Sequence, residues 1–142
     1  GSDWDLLKER AAKPELKGRV HVLETLPPAE TARWIAGADA GLVSIKAGAG
    51  YDHAYPTKVL STLACGTPVI YAGPGPARED IVDNRLGVCA DYSASSVGVA
   101  FTNLLEGRTT LADSNARRQW VVAYRSLAAS SAAVAKVLMS KA

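Results

Sequence analysis

Residues 66–76, GTPVIYAGPGP, leave the chain few choices. Gly66 suits the residue that closes a helix, and Pro68 prevents the helix from continuing. Val69, Ile70 and Tyr71 form a short apolar run between turn residues, which reads as a buried strand. Gly73-Pro74-Gly75-Pro76 can only be a rigid turn. Upstream, Val59, Leu60, Leu63 and Ala64 recur at helical spacing. Pro56 stands where that helix would begin, because the first helical turn has no partner for the N–H that proline lacks. Before it, Ala47-Gly48-Ala49-Gly50 has little reason to form regular structure. The unit is therefore loop, helix, tight turn, buried strand. In an open α/β sheet such a loop lies at the carboxyl end of the preceding strand, where ligands bind.

The rest of the chain repeats the alternation. Residues 3–12 read as a helix with Ser2 or Asp3 as cap and Trp4, Leu6 and Leu7 as its apolar side. Residues 19–23, RVHVL, alternate with β-branched residues and read as a strand. A helix over 29–37 follows Pro27-Pro28, with Ala32, Ile35 and Ala36 inward. Residues 38–45, ADAGLVSI, are the clearest strand. After the central unit come a helix over 77–84, a strand over 87–90 and a helix capped by Ser93 or Ser95 that runs to about 106. Its apolar face holds Val97, Ala100, Phe101, Leu104 and Leu105. The region from about 111 to 142 is mostly helical, with breaks expected near 127–132. Strands that are short, apolar and separated by helices predict an α/β fold: a Rossmann-like parallel sheet flanked by helices on both faces.

Composition narrows the function classes. Of 142 residues, 48% are hydrophobic and 21% charged, enough to build a core. A net charge of +2 gives no argument for nucleic acid. Cys65 and Cys89 show neither CxxC nor Cys/His spacing, so no metal is expected, no disulfide is implied, and a reduced cytosolic setting fits. No run of about 18 apolar residues occurs, so no membrane span is expected. No signal peptide is visible. Nor is there a Ser/His/Asp set, a metal cluster or a P-loop.

Three blocks in order carry a resemblance. They are RVHVLETLPPAETARWIAGADAGLVSI, then YPTKVLSTLACGTPVIYAG, then REDIVDNRLGVCA. Together, residues 19 to about 125 resemble the C-terminal, nucleotide-sugar-binding half of retaining glycosyltransferases with the GT-B architecture. The similarity is greatest to the family-4 type (group 1) that builds bacterial surface polysaccharides. The resemblance implies a six-stranded parallel sheet in the order 3-2-1-4-5-6, of which this chain holds counterparts of strands three to six. Residues 1–142 are then a fragment lacking the first two strands and the N-terminal acceptor domain. The missing strands would come from the rest of the protein, from a second chain, or be replaced by an altered pairing, and the fragment alone would transfer nothing. The implied full-length activity is transfer of a hexose from a nucleotide-sugar to a polysaccharide or glycolipid acceptor. It is independent of metal and cofactor, cytoplasmic, and carries peripheral membrane contact at the inner face as a partner expectation.

The resemblance also implies a site. In the family, two glutamates eight positions apart frame the central block; the matching positions here are His53 and Ser61. A carboxylate accepts hydrogen bonds from two vicinal hydroxyls, whereas Ser61 makes one weaker contact. A nucleotide-sugar diphosphate is anionic, and the amino end of the helix after Pro56 offers N–H groups and positive potential. The donor-binding candidates are therefore His53, Tyr55, Thr57, Lys58 and Ser61, with Gly48 and Gly50 letting backbone approach the ligand.

Each residue also has a plainer reading: Lys58 as a solvated lysine, His53 as a loop histidine, Thr57 as an N-cap, Ser61 as a helix serine, and Tyr55 as packing. Glu79 and Asp80, after the Gly-Pro turn, are placed to reach the cleft, yet the helix dipole alone explains them. Arg117-Arg118 reads as a solvated helix face, with acidic lipid contact as the alternative. The competing function is a degenerate, non-catalytic nucleotide-binding or scaffolding module. A nucleotide-sugar epimerase of the same architecture is a third option.

Overall fold

The computed structural model describes residues 3–140. The chain forms two compact units, Gly1–Thr31 and Ala32–Ala142.

In the first unit, α1 spans Trp4–Ala11. Asp3 precedes it without a side-chain capping bond; Ser2, the alternative cap, lies outside the described residues. Lys8 lies over the Trp4 ring (4.6 Å) and pairs with Glu24 (3.5 Å). Both charges are exposed, so the pair adds little. No described residue of this unit is buried. The expected strand over 19–23 is absent: Arg19 lies in a turn, and 20–27 are irregular, with Val20 and Leu23 exposed. No strand among the described residues pairs with this segment. β-propensity expresses fit to a packed, pleated surface, and alternation alone does not supply one.

The boundary between units falls within α2, Pro28–Ala36. The second unit carries the sheet: β1 (Gly41–Ser44), β2 (Val69–Ala72) and β3 (Gly87–Ala90), parallel and in the order β1-β2-β3. Gly41 stands opposite Val69, and Val69 opposite Gly87. The helices are α3 (Thr57–Ala64), α4 (Ala77–Asp83), α5 (Ala94–Leu105), α6 (Ser114–Tyr124) and α7 (Leu127–Met139). The result is a Rossmann-like α/β fold with three of the four expected strands. β1 is shorter than the residues 38–45 that suggested it.

β2 is buried throughout, and its alternation divides the core. Val69 and Tyr71 join Val59 and Leu63 of α3, Ile81 of α4, and Trp120 and Val121 of α6. Ile70 and Ala72 face the other way, toward Ala90 and Ala100 of α5. β1 follows the same alternation but is covered on one side only: Val43 is buried, while Leu42 stays 50% exposed. In the second core, α5 is fixed by Ser93, whose Oγ accepts from the Ser96 N–H (3.1 Å).

Two expectations about the C-terminal region are corrected. Of the two arginines expected on a solvated face, Arg118 is exposed and Arg117 is not. Arg117 is buried, and its Nε–H donates to the Gly66 carbonyl (2.9 Å) while Nη1 reaches the Ala112 carbonyl. Arg118 donates to the carbonyls of Ala64 (3.1 Å) and Cys65 (3.2 Å). The last carbonyls of α3 have no intrahelical partners, so nearby guanidinium donors are drawn to them. The helical break comes at Arg125-Ser126, before the region expected, because the Ser126 hydroxyl caps α7 at the Ala129 N–H (3.1 Å).

By length and composition, the described residues do hold one helical stretch able to cross a membrane, Ser114–Met139, contrary to expectation. The break divides it. α6 packs against α3, and α7, with 13 residues, is shorter than the roughly 20 a span needs.

Candidate functional site at the carboxyl edge of the sheet

The three strands end together, and the loops that follow them form one edge. After β1 the chain turns at Gly48 (φ +72°) and Gly50 (φ +82°). The Gly48 N–H donates to both carboxylate oxygens of Asp52 (2.9 and 3.2 Å), and the Ala54 N–H to the Tyr51 carbonyl (2.9 Å). Both glycines are exposed, and a Cβ on either would meet only open space. Their part in the fold is thus the turn itself. Asp52, which sequence reasoning passed over, closes this loop on itself.

The loop after β2 braces it. At Gly75 a Cβ would lie 3.1 Å from the Asp52 carbonyl oxygen and 3.3 Å from that of Ala54, so only glycine lets the two loops touch this closely. Tyr71 Oη–H donates to the Pro74 carbonyl (2.5 Å). Arg78 Nη1 bonds the carbonyls of Gly73 (3.0 Å) and Ala90 (2.9 Å), tying the end of β3 to the residue that follows β2. Burial raises the pKa of the Tyr71 hydroxyl and the Cys89 thiol, with the Arg78 charge opposing both.

This braced loop delivers the chain into α3. Pro56 occupies the N-cap position with extended backbone (φ −70°, ψ 119°), one residue earlier than a first-turn proline. It has no side chain able to cap. Thr57, expected as an N-cap, is the first helical residue, and its hydroxyl makes no capping bond. No acidic residue lies in the first turn. The side chains of His53, Thr57 and Lys58 are exposed, and none has a hydrogen bond or ion pair with the described residues. One turn on, Ser61 is also exposed, and its hydroxyl donates to the Thr57 carbonyl (3.1 Å).

Tyr55 is placed differently. Its ring packs against the core shared by α3, α4 and α6. The Arg125 guanidinium covers it at 5.1 Å and lies 5.6 Å from Trp120. Arg125 in turn donates to Asp80 through Nε (3.1 Å) and Nη2 (2.5 Å). Asp80 therefore holds an arginine, a role beyond the dipole that explained it from sequence. The Tyr55 hydroxyl is buried without a well-formed hydrogen bond. Burial, then the neighbouring Asp80 carboxylate, pushes its pKa up, against the pull of Arg125. Asp80 likewise raises the pKa of Arg125.

The structure thus brings His53, Thr57, Lys58 and Ser61 to solvent around the first turns of α3 and turns Tyr55 inward. Among the described residues, no three His, Cys, Asp or Glu side chains gather as a metal site would require. At this edge the arrangement offers N–H groups of an uncapped helix end, the Lys58 ammonium, and the exposed side chains of His53 and Thr57. Such a set suits a phosphate-bearing ligand. No protein-family model, curated protein or solved structure matches this chain.

Proposed function

We propose that this chain is the donor-binding part of a retaining glycosyltransferase of the GT-B, family-4 kind, gripping the diphosphate of a nucleotide-sugar at the amino end of α3. The observation that carries the reading is that α3 starts bare at the carboxyl edge of a parallel sheet. It has no capping side chain and no first-turn acid, and it has Lys58 beside it. An anion there would meet partial and formal positive charge together. In the full-length enzyme, the acceptor hydroxyl would attack the anomeric carbon from the face the diphosphate leaves, with the helix end holding the leaving group. No protein nucleophile is assigned. Completion of the sheet by the missing strands, beside the half-covered β1, and catalysis in the cytoplasm at a membrane's inner face belong to the same proposal.

Ser61 favours the second reading, a nucleotide-binding module without catalysis. Its hydroxyl proton is committed to the Thr57 carbonyl, so it can only accept where a carboxylate would take two hydroxyls. Calorimetric titration of the chain with uridine, guanosine and adenosine diphosphates tests the common core. Binding that survives Ser61→Ala and falls about tenfold in Lys58→Ala supports a phosphate-led site, one charge-assisted contact having that order of worth. Failure of every nucleotide to bind the folded chain would sink it.

A further inference from the structure

A second group of residues at the same edge has no part in that reading. A cleft of about 270 Å³ opens there, lined by Ala47, Gly73, Pro74, Arg78, Asp91 and Tyr92. It carries one cation and one anion that form no ion pair with each other. Arg78 is held through Nη1 by the carbonyls of Gly73 and Ala90, which leaves its Nε and Nη2 protons without a partner among the described residues. Asp91 is engaged through its backbone alone: its N–H donates to Ser96 Oγ (3.0 Å), and its carbonyl accepts from the Ser93 N–H (2.7 Å). Its carboxylate has no partner among the described residues. The Tyr92 side chain beside it is 53% exposed.

A fixed guanidinium, a free carboxylate and an open aromatic ring around one cleft are the groups that recognise a polyhydroxylated ring. The carboxylate accepts from two vicinal hydroxyls, the guanidinium donates to a hydroxyl oxygen, and the aromatic ring covers the C–H face. Whole-ligand pockets begin at roughly 300 Å³, so this cleft suits one sugar ring with the rest of the ligand outside. The contact of Gly75 with the Asp52 and Ala54 carbonyls sets it beside the loop entering α3.

We propose that the cleft binds the vicinal diol of a sugar ring of the nucleotide-sugar, and that Asp91 supplies the carboxylate that Ser61 does not. The inference rests on the donor-binding reading above. Its chemistry is shared by the ribose and the transferred hexose, and the test separates them.

The full chain and its Asp91→Asn, Tyr92→Ala and Lys58→Ala variants are titrated with uridine, guanosine and adenosine diphosphates, their 2′-deoxy counterparts, UDP-glucose and GDP-mannose. Near-ultraviolet circular dichroism checks that each variant is folded. Asp91→Asn weakens binding about tenfold, the scale of one lost charge-assisted hydrogen bond. Tyr92→Ala weakens the same probes. Ribose occupancy makes that loss appear with the ribonucleotides and vanish with the 2′-deoxy forms. Hexose occupancy confines it to the two nucleotide-sugars. Unchanged affinity of Asp91→Asn for every probe, with Lys58→Ala still weakening them, overturns this inference and leaves the phosphate site standing. No binding of any probe to the wild-type chain overturns both.

Discussion

The carboxyl end of α3 is among the most heavily bonded points of the chain, and its amino end is bare. At the carboxyl end, the Gly66 N–H bonds the Leu63 carbonyl (2.9 Å) and the Thr67 N–H bonds that of Thr62 (3.2 Å), the two bonds of a Schellman closure. Arg117 and Arg118 then reach in from α6 to the carbonyls of Ala64, Cys65 and Gly66. Thr67 Oγ1–H donates to the Ile35 carbonyl (2.6 Å). At the other end there is a proline where a cap should be, and exposed Thr57 and Lys58 after it. Elsewhere in this unit Ser93, Asp113 and Ser126 cap α5, α6 and α7 by side chain. α4, which also starts at a proline without a capping bond, carries Glu79 and Asp80 in its first turn; α3 has neither device. Cations at the negative end of a helix stabilise it and leave its positive end uncompensated. One end therefore anchors α3 to the fold while the other remains available to an anion.

Substitutions at the two ends should behave oppositely. Arg117→Ala removes a buried guanidinium and strands the Gly66 and Ala112 carbonyls. Urea unfolding should show a loss of about 3 kcal/mol, as for other buried polar networks. Gly66→Ala comes next. Its φ of +83° lies in the left-handed region, and a Cβ would press on the Ser114 hydroxyl. The expected cost is about 1–2 kcal/mol in the same assay.

Tyr55→Phe tests the loop entering the bare end. It deletes a hydroxyl that makes no good bond, so stability at neutral pH should change by less than about 0.5 kcal/mol. Its signature is alkaline. Tyr55 and Tyr71 are both raised above the usual tyrosine value of 10.0 in the folded chain. Stability is therefore unaffected below that pH and falls above it, as the unfolded chain releases protons that the folded chain keeps. Tyr55→Phe should flatten part of that fall, measured by thermal midpoint from pH 9 to pH 11. Smallest of all, Lys58→Ala should leave urea stability within about 0.5 kcal/mol of the parent, the scale of an exposed charge. A large loss there would end the contrast between the ends.

The sequence made the local features plain and concealed the long-range ones. β2, β3, α3 and α5 were legible because each announces itself within a few residues, by an apolar run, a helical repeat, or Ser93 before an apolar face. RVHVL has the same local signal and fails, since a strand also needs a neighbour, and nothing within five residues records one. Arg117 of α6 was misread for a similar reason. A charged pair on a helix reads as solvated unless one knows that α3 ends opposite it. The position of the candidate site was legible as a loop feeding a helix after a strand. Arg78 and Asp91 were not, because only the fold sets them on the rim of one cleft.

Strands adjacent in the sheet are also adjacent in sequence: β1 pairs with β2, and β2 with β3. Each pairing is a parallel crossover through one helix, from Gly41 to Val69 and from Val69 to Gly87, a shorter closure than the one α6 makes. The bond from Arg117 to Gly66, by contrast, spans 51 residues. Docking of α6 is thus the costliest closure in this unit and belongs late on the folding path. In stopped-flow measurements, Arg117→Ala should act mainly by accelerating unfolding, with the refolding rate nearly that of the parent chain.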